Sequence, residues 1–244
     1  MEKELYQTLY NTESTYWWFT GQRYLLNSIL HYYYGHQTHL VLLDIGCGAG
    51  LNLMTLSKYG KAYGIDISDD ALAFCKKRGL KHIKKSNVMD IQHKDKTFDV
   101  VTELGVFYHK AVTDDVKAMK EAYRILKPGG RFIMMDCAMM SLFGKHDIAF
   151  QGVRRYSKTE LKQKLESAGF TIERITYFNS LLFIPIFIKR KLEKLSTAQP
   201  KSGVQESINP VLNKLLNVVY KCELRLLRYV NYPFGINILA IARK

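Results

Sequence analysis

The sequence predicts an α/β fold in which a doubly wound sheet is covered by helices on both sides. Three observations predict it. Short apolar runs recur at residues 40–45, 62–65, 98–102 and 131–137. Segments with helical spacing or helix-capping residues lie between them. The first run ends in an acid and then a glycine cluster, Asp44-Ile45-Gly46-Cys47-Gly48-Ala49-Gly50, as a buried parallel strand does when it enters a tight turn.

Taken in order, residues 1–38 are rich in Tyr and Trp and read as helical pieces. Residues 40–45 form the first strand. A short helix comes next at 51–59, stopped by Gly60. Residues 62–65 form a second strand that ends at Asp66. Ser68 is a good N-cap, Asp69 and Asp70 suit the positive start of a helix, and Gly79 closes it. A weak third strand lies near 82–85, and 98–102 is a fourth. Val116, Met119, Tyr123 and Leu126 repeat at helical spacing within 114–126. Lys127-Pro128-Gly129-Gly130 ends that helix, and 131–137 is a fifth strand. Ser157-Lys158-Thr159-Glu160 has the pattern of a capping box, opening a helix that Gly169 ends. Residues 170–176 and 236–242 are the last two strands. Roughly fifty residues between them are helical in pattern, apolar and basic, too long for a plain connection. The expected organisation is a helical cap at 1–38, a core at 39–177, a basic amphipathic insertion or lid at 178–231, and a final core strand in 232–244.

Composition narrows the class. The chain has 244 residues, and its 47% hydrophobic content is enough for a core and excludes wholesale disorder. With 16 Gly and 5 Pro it is neither collagen-like nor low-complexity. The net charge of +14 is uneven: residues 1–153 carry +3 and residues 154–244 carry +11. That surplus suits an anionic partner, whether nucleic acid, an acidic membrane surface or a phosphorylated substrate. Cys47, Cys75, Cys137 and Cys222 are far apart and form no CxxC, so reduced thiols in a cytoplasmic protein are expected and a metal site is not. The N-terminus lacks the pattern of a signal peptide. The most apolar run, residues 180–188, is too short to span a bilayer.

The glycines at 46, 48 and 50 allow a ligand to approach the backbone closely. A dinucleotide fingerprint needs GxGxxG, but position 51 is Leu51 and the glycines run GxGxG. Asp44, two residues before the first glycine, repels a pyrophosphate and suits an ammonium or sulfonium. Asp66 stands twenty residues beyond Gly46, where a carboxylate can bind both hydroxyls of a ribose. A ribose together with positive charge describes S-adenosylmethionine.

In these residues the sequence resembles the class I S-adenosylmethionine-dependent methyltransferases. The resemblance is carried by LLDIGCGAG at 42–50, GIDIS at 64–68, FDVV at 98–101 and ILKPGGRF at 125–132. It implies a Rossmann-like seven-stranded sheet whose last strand is antiparallel. The flanks resemble a narrower bacterial and archaeal group through Trp17-Trp18-Phe19 with Arg23, His146-Asp147, Arg154-Arg155-Tyr156, and Tyr177-Phe178-Asn179 with Leu182-Phe183. That group commonly has a histidine two residues before the paired arginines, where this chain has Gly152.

Carried over residue by residue, the resemblance implies that Gly46, Cys47, Gly48 and Gly50 line the methionine and ribose portion. Asp44 lies near the ammonium, Asp66 holds the ribose, and Ile67 packs on adenine. Asn87 and Val88 stand at the adenine amino edge, Asn87 replacing the family's usual acid. Glu103 and Leu104 come after the fourth strand, beneath the methyl, and Arg23 is a candidate for the methionine carboxylate. His109, His146 and Tyr108 are candidate catalytic groups, although each also suits a packing role. Arg154, Arg155 and Tyr156 are candidates to clamp an acceptor's anionic group, and Trp18 to close the pocket.

The implied reaction is methyl transfer to an oxygen, with nitrogen or carbon as lesser alternatives, of a small or lipid-linked metabolite. An RNA or protein methyltransferase using the basic third, and a non-catalytic cofactor-binding scaffold, are the rival readings. Nucleic acid is not expected, because no RNA-binding appendage and no Asn-Pro-Pro-Tyr type of signature is present. A monomer or homodimer is expected, cytoplasmic, with peripheral contact of the insertion with anionic membrane as a hypothesis.

Overall fold

The computed structural model describes residues 3–195 and 208–244. Residues 196–207, part of the expected insertion, lie outside the described residues. The strands are β1 (Leu40–Ile45), β2 (Gly60–Asp66), β3 (Ile83–Lys85), β4 (Phe98–Leu104), β5 (Leu126–Cys137), β6 (Thr171–Phe178) and β7 (Asn237–Arg243). The helices are α1 (Lys3–Thr12), α2 (Trp17–Tyr34), α3 (Leu51–Leu56), α4 (Asp69–Lys77), α5 (Asp115–Ile125), α6 (Lys145–Ala149), α7 (Lys158–Ser167), α8 (Phe183–Leu195) and α9 (Pro210–Leu226).

One sheet runs in the order β3-β2-β1-β4-β5-β7-β6. All pairs are parallel except those made by β7, which runs antiparallel to both β5 and β6. This is the Rossmann-like, seven-stranded sheet with an antiparallel last strand. Alternate residues of each strand feed two cores. Leu43, Phe132 and Met134 pack under α5 and α7 with Met119, Ile125 and Leu161. Leu42, Ile133 and Met135 pack under α2, α3 and α9 with Leu26, Leu53 and Tyr220. Strands buried on both faces read as unbroken apolar runs, which is why β1 and β5 were visible in the sequence.

Several boundaries differ from expectation. β4 continues to Leu104, so Glu103 and Leu104 belong to the strand instead of lying beyond it. β5 starts at Leu126, before the Pro-Gly-Gly turn, because Phe98 already pairs with Leu126 and the register then jumps to Val100 with Arg131. The Lys127 ammonium holds that bulge by contacting the Asp99 carboxylate at 2.8 Å. In the expected capping box, Ser157 Oγ accepts the Glu160 N–H at 3.2 Å, while the Glu160 carboxylate pairs with Lys164 at 2.8 Å.

The insertion rests on the N-terminal cap. Trp18 stacks on Tyr220 of α9, with ring centroids 5.6 Å apart, and Trp17 meets the same ring edge-on at 5.4 Å. Trp18 also lies parallel to Phe178 at 6.5 Å. Gly21 lets α2 and α9 come this close: a Cβ there would lie 2.1 Å from Tyr220 Cδ1. Tyr220 is buried and stacked, so it has nowhere to swing. Gly21→Ala is therefore expected to lower stability by about 1–3 kcal/mol through overpacking, despite the better helix propensity of alanine. A thermal melt at or above the parent's would contradict this account.

Candidate active site

The site begins where β1 stops. Gly48 has φ +53°, which favours glycine, and a Cβ there would meet nothing within 4 Å. Its backbone therefore faces open space. Gly46 and Gly50 are also left-handed, but protein fills the space beside them, Val106 at the first and Leu80 and Cys75 at the second. Cys47 turns its side chain inward, 3.9 Å from the Cys75 sulfur, so it offers the ligand only backbone. The Cys75 thiol in turn donates to the Gly48 carbonyl at 3.2 Å.

Asp66, at the end of β2, organises the opposite wall. Its Oδ2 accepts the Gly48 N–H at 2.9 Å and its Oδ1 accepts the Ser68 N–H at 2.9 Å. Each oxygen retains a lone pair, which is what two ribose hydroxyls require. Burial pushes the Asp66 carboxyl up, and the N–H groups of Ser68 and Gly48 oppose that shift. Ile67 beside it leaves an apolar side chain 52% exposed, a surface suited to a purine. Asn87 is exposed, and its Oδ1 already accepts the Met89 N–H at 2.9 Å. Val88 behind it is buried.

Sequence reasoning missed Tyr6. It lies on α1, sixty residues from Asp66, yet it is buried and its hydroxyl faces Ser68 and the Asp66 carboxylate. Burial, with the Asp66 charge second, pushes it up to about 12. α1 is held over α4 by Tyr10, which stacks on Phe74 at 4.9 Å, and by the Arg78–Glu13 ion pair. Arg23 belongs to this clamp: it donates to the Glu13 carbonyl at 2.6 Å, which ties it to the cap.

Three carboxyls close the base of the site at the ends of adjacent strands. Asp44 (β1), Glu103 (β4) and Asp136 (β5) are each at most 1% exposed. Thr102 Oγ1 donates to Asp44 at 2.6 Å. Glu103 Oε1 accepts the N–H groups of Val106 and Phe107, while its Oε2 is buried with no partner among the described residues. Asp136 accepts the N–H of Tyr108 at 3.0 Å and of Cys137 at 2.6 Å. Burial drives all three upward: Asp44 and Asp136 to about 7, and Glu103 well above the carboxylate range with the Asp136 charge adding to it. Three buried carboxyls and an unused oxygen form a place where a cation is welcome. Asp136 was also missed, although an acid ending an apolar strand is the same signal that marked Asp44.

The remaining sequence-predicted groups divide. His109 Nδ1 accepts the Ala111 N–H at 3.0 Å, which puts the ring proton on its buried Nε2. In that tautomer the ring's one acceptor nitrogen is already engaged by Ala111. His146 on α6 is brought down to about 4 by burial and the Arg190 charge, so it is neutral at pH 7. The Tyr108 ring fills the space beside Gly152, where a Cβ would come within 2.7 Å of it. That contact leaves no room for a larger side chain at position 152. Leu104 packs against the α2–α9 core.

Arg155 and Tyr156 are both buried. Arg155 is 2% exposed: it pairs with Asp147 at 2.7 Å and donates to the Ala138 carbonyl at 2.9 Å. Tyr156 is fully buried and donates to Asp115 at 2.8 Å. Both side chains are engaged within the protein, because the loop that carries them is core. Trp18 is likewise committed to the stack on Tyr220 and Phe178. Only Arg154 remains half-buried, donating to the Phe107 carbonyl at 2.6 Å near the end of β4. Arg190 of α8 joins from the insertion, with Nη1 2.7 Å from Asp147 Oδ2.

The order of strands, the glycine loop after β1 and the acid after β2 define the Rossmann-like architecture of class I methyltransferases. Residues 43–134 match the family described as methyltransferase domain. Demethylmenaquinone methyltransferase of Symbiobacterium thermophilum is 34% identical over 108 residues, 40% of this chain and 42% of that protein. The protein of that name from Staphylococcus aureus is 29% identical over 170 residues, 56% of this chain and 70% of that one. The solved S-adenosylmethionine-dependent methyltransferase of Thermotoga maritima shares the fold, with TM-score 0.61 and 18% identity over 99% of this chain and 95% of that chain. The match spans less than half the length of the first of these relatives. Residues 43–134 thus carry the likeness to the methyltransferase domain family, on a sheet with the Rossmann-like strand order. Among the described residues, no helix is long and apolar enough to cross a membrane.

Proposed function

We propose that the chain transfers a methyl group from S-adenosylmethionine to a small, lipid-linked acceptor. One observation carries the cofactor half: Gly48 opens onto free space while Asp66, hydrogen-bonded to its N–H, keeps two lone pairs turned to a diol. The bound cofactor supplies a methyl already activated on a sulfonium. The residues need only align the acceptor and exclude water. Asp44 and the unpartnered Oε2 of Glu103 stand toward the cationic end, and Ile67 offers an apolar platform. The acceptor half is supported by the names of the relatives, demethylmenaquinone methyltransferases.

Oxygen is the proposed acceptor atom. Arg154, half-buried with its guanidinium 2.6 Å from the Phe107 carbonyl, puts positive charge near the end of β4. A protonated amine there would face like charge, whereas an ionisable oxygen would not. The test is transfer of labelled methyl into lysate separated into lipid, small-molecule, RNA and protein fractions. Label in the lipid fraction, on oxygen, is expected. Label confined to RNA or protein would refute the proposal.

Cofactor affinity should depend on pH. Asp44 titrates at about 7 in the free protein, and a cationic ligand favours its charged form. The sign is therefore fixed: affinity rises with pH through 7 and flattens above it. About a tenfold gain from pH 6 to 8 is expected from one such group. A flat calorimetric profile would remove Asp44 from the cationic end.

A further inference from the structure

We propose that the outer faces of α8 and α9 form a docking surface for an anionic membrane. α9 leaves Val211, Leu215, Val218, Leu226 and Tyr229 exposed, between 55% and 79%, the last just past its end. Their spacing of three, four or eight residues puts them on one helical stripe. α8 repeats the pattern with Ile184, Ile188 and Leu192 at 53% to 63%, and Leu181 precedes them at 58%. Packing among the described residues therefore leaves one apolar face of each helix uncovered. An uncovered apolar stripe of this kind on each helix marks an interaction site.

Charge selects the occupant. Lys191, Lys214, Arg225 and Arg228 are exposed on or beside these helices. The one acid among their described side chains, Glu223, is 1% exposed and spends its oxygens on the N–H groups of Ser180 and Leu181. Among the described residues, the outer surface of the two helices is thus apolar and cationic. A second copy of the chain would bring like charges together as the stripes met. An anionic bilayer satisfies both features at once: side chains enter the headgroup boundary, and each nearby Lys or Arg gains from the surface potential. Long cationic side chains can lie along their apolar neighbours, as Lys191 does 5.4 Å over the Phe187 ring.

The surface stands independently of the acceptor's identity, since binding is read without catalysis. The experiment is flotation of the full chain with phosphatidylcholine vesicles, with and without phosphatidylglycerol. Co-flotation with the anionic vesicles at moderate salt is expected, with loss in neutral vesicles or at high salt. Ile188→Glu with Leu192→Glu, and separately Leu215→Glu with Val218→Glu, should each weaken it about tenfold or more. These positions are exposed, so melting temperature and S-adenosylmethionine binding should stay at the parent's values. Absence of co-flotation overturns the proposal, as does binding that these variants leave intact. A concentration-dependent dimer that the variants disperse, without vesicle binding, overturns it in favour of self-association.

Discussion

Asp66→Ala is expected to weaken S-adenosylmethionine binding by about a hundredfold or more. Two hydrogen bonds from ribose hydroxyls to a carboxylate are each worth about 1.5–3 kcal/mol, and the loss includes more than those contacts. Asp66 also fixes the Gly48 and Ser68 N–H groups at 2.9 Å, so its removal frees the loop that faces the ligand. Asparagine is a poor rescue here. Its amide would present N–H donors to one of two backbone N–H groups that need an acceptor. Asp66→Asn should therefore fall close to alanine in calorimetry while the melting curve stays near the parent's. An affinity within threefold of the parent for both variants would overturn the ribose assignment.

Asp147→Ala should lower the melting temperature by about 10 °C. The side chain is 1% exposed and serves Arg155, Arg190 and the Gly144 N–H at 2.7 to 2.8 Å. Without it, two buried guanidiniums face each other unpaired, a loss of about 3–5 kcal/mol, and each kcal/mol is worth about 2–4 °C in a chain of this size. The pH dependence comes from the direction of the shift. Burial pushes Asp147 up, but Arg155 and Arg190 outweigh it and hold it below the usual carboxylate range. Its contribution is therefore present at neutral pH and lost only as pH falls through that low value. Asp44 and Asp136 act oppositely. Both are raised to about 7, so their contribution is complete at about pH 4 and declines as pH rises to 7. A melt within about 3 °C of the parent at pH 7 would mean the two arginines find water or other partners.

Much of this was legible in the sequence, for physical reasons. β1 and β5 are buried on both faces, and such strands appear as unbroken apolar runs. Gly48 lies just beyond β1 and Asp66 ends β2, and that placement is a local signal. The failures are non-local. Arg155 and Arg190 look like solvated charge until Asp147, from another turn of chain, is placed between them. Tyr6 cannot be connected with Asp66 by any short-range pattern. The Ala111 N–H at the His109 Nδ1 likewise shows only in the folded chain. Asp136 was available to sequence reasoning, since it ends its strand as Asp44 ends β1, and was overlooked because no glycine cluster stands after it.

The link from Arg190 to Asp147 has an evolutionary consequence. Among its described residues, the segment between β6 and β7 contributes no strand to the sheet. Here it has become indebted to its host. A replacement lacking an arginine at position 190 would leave Asp147 with one guanidinium instead of two, and a host lacking Asp147 would reject the present segment. Positions 147, 155 and 190 should therefore drift as a trio across descendants of this chain, changing together or not at all.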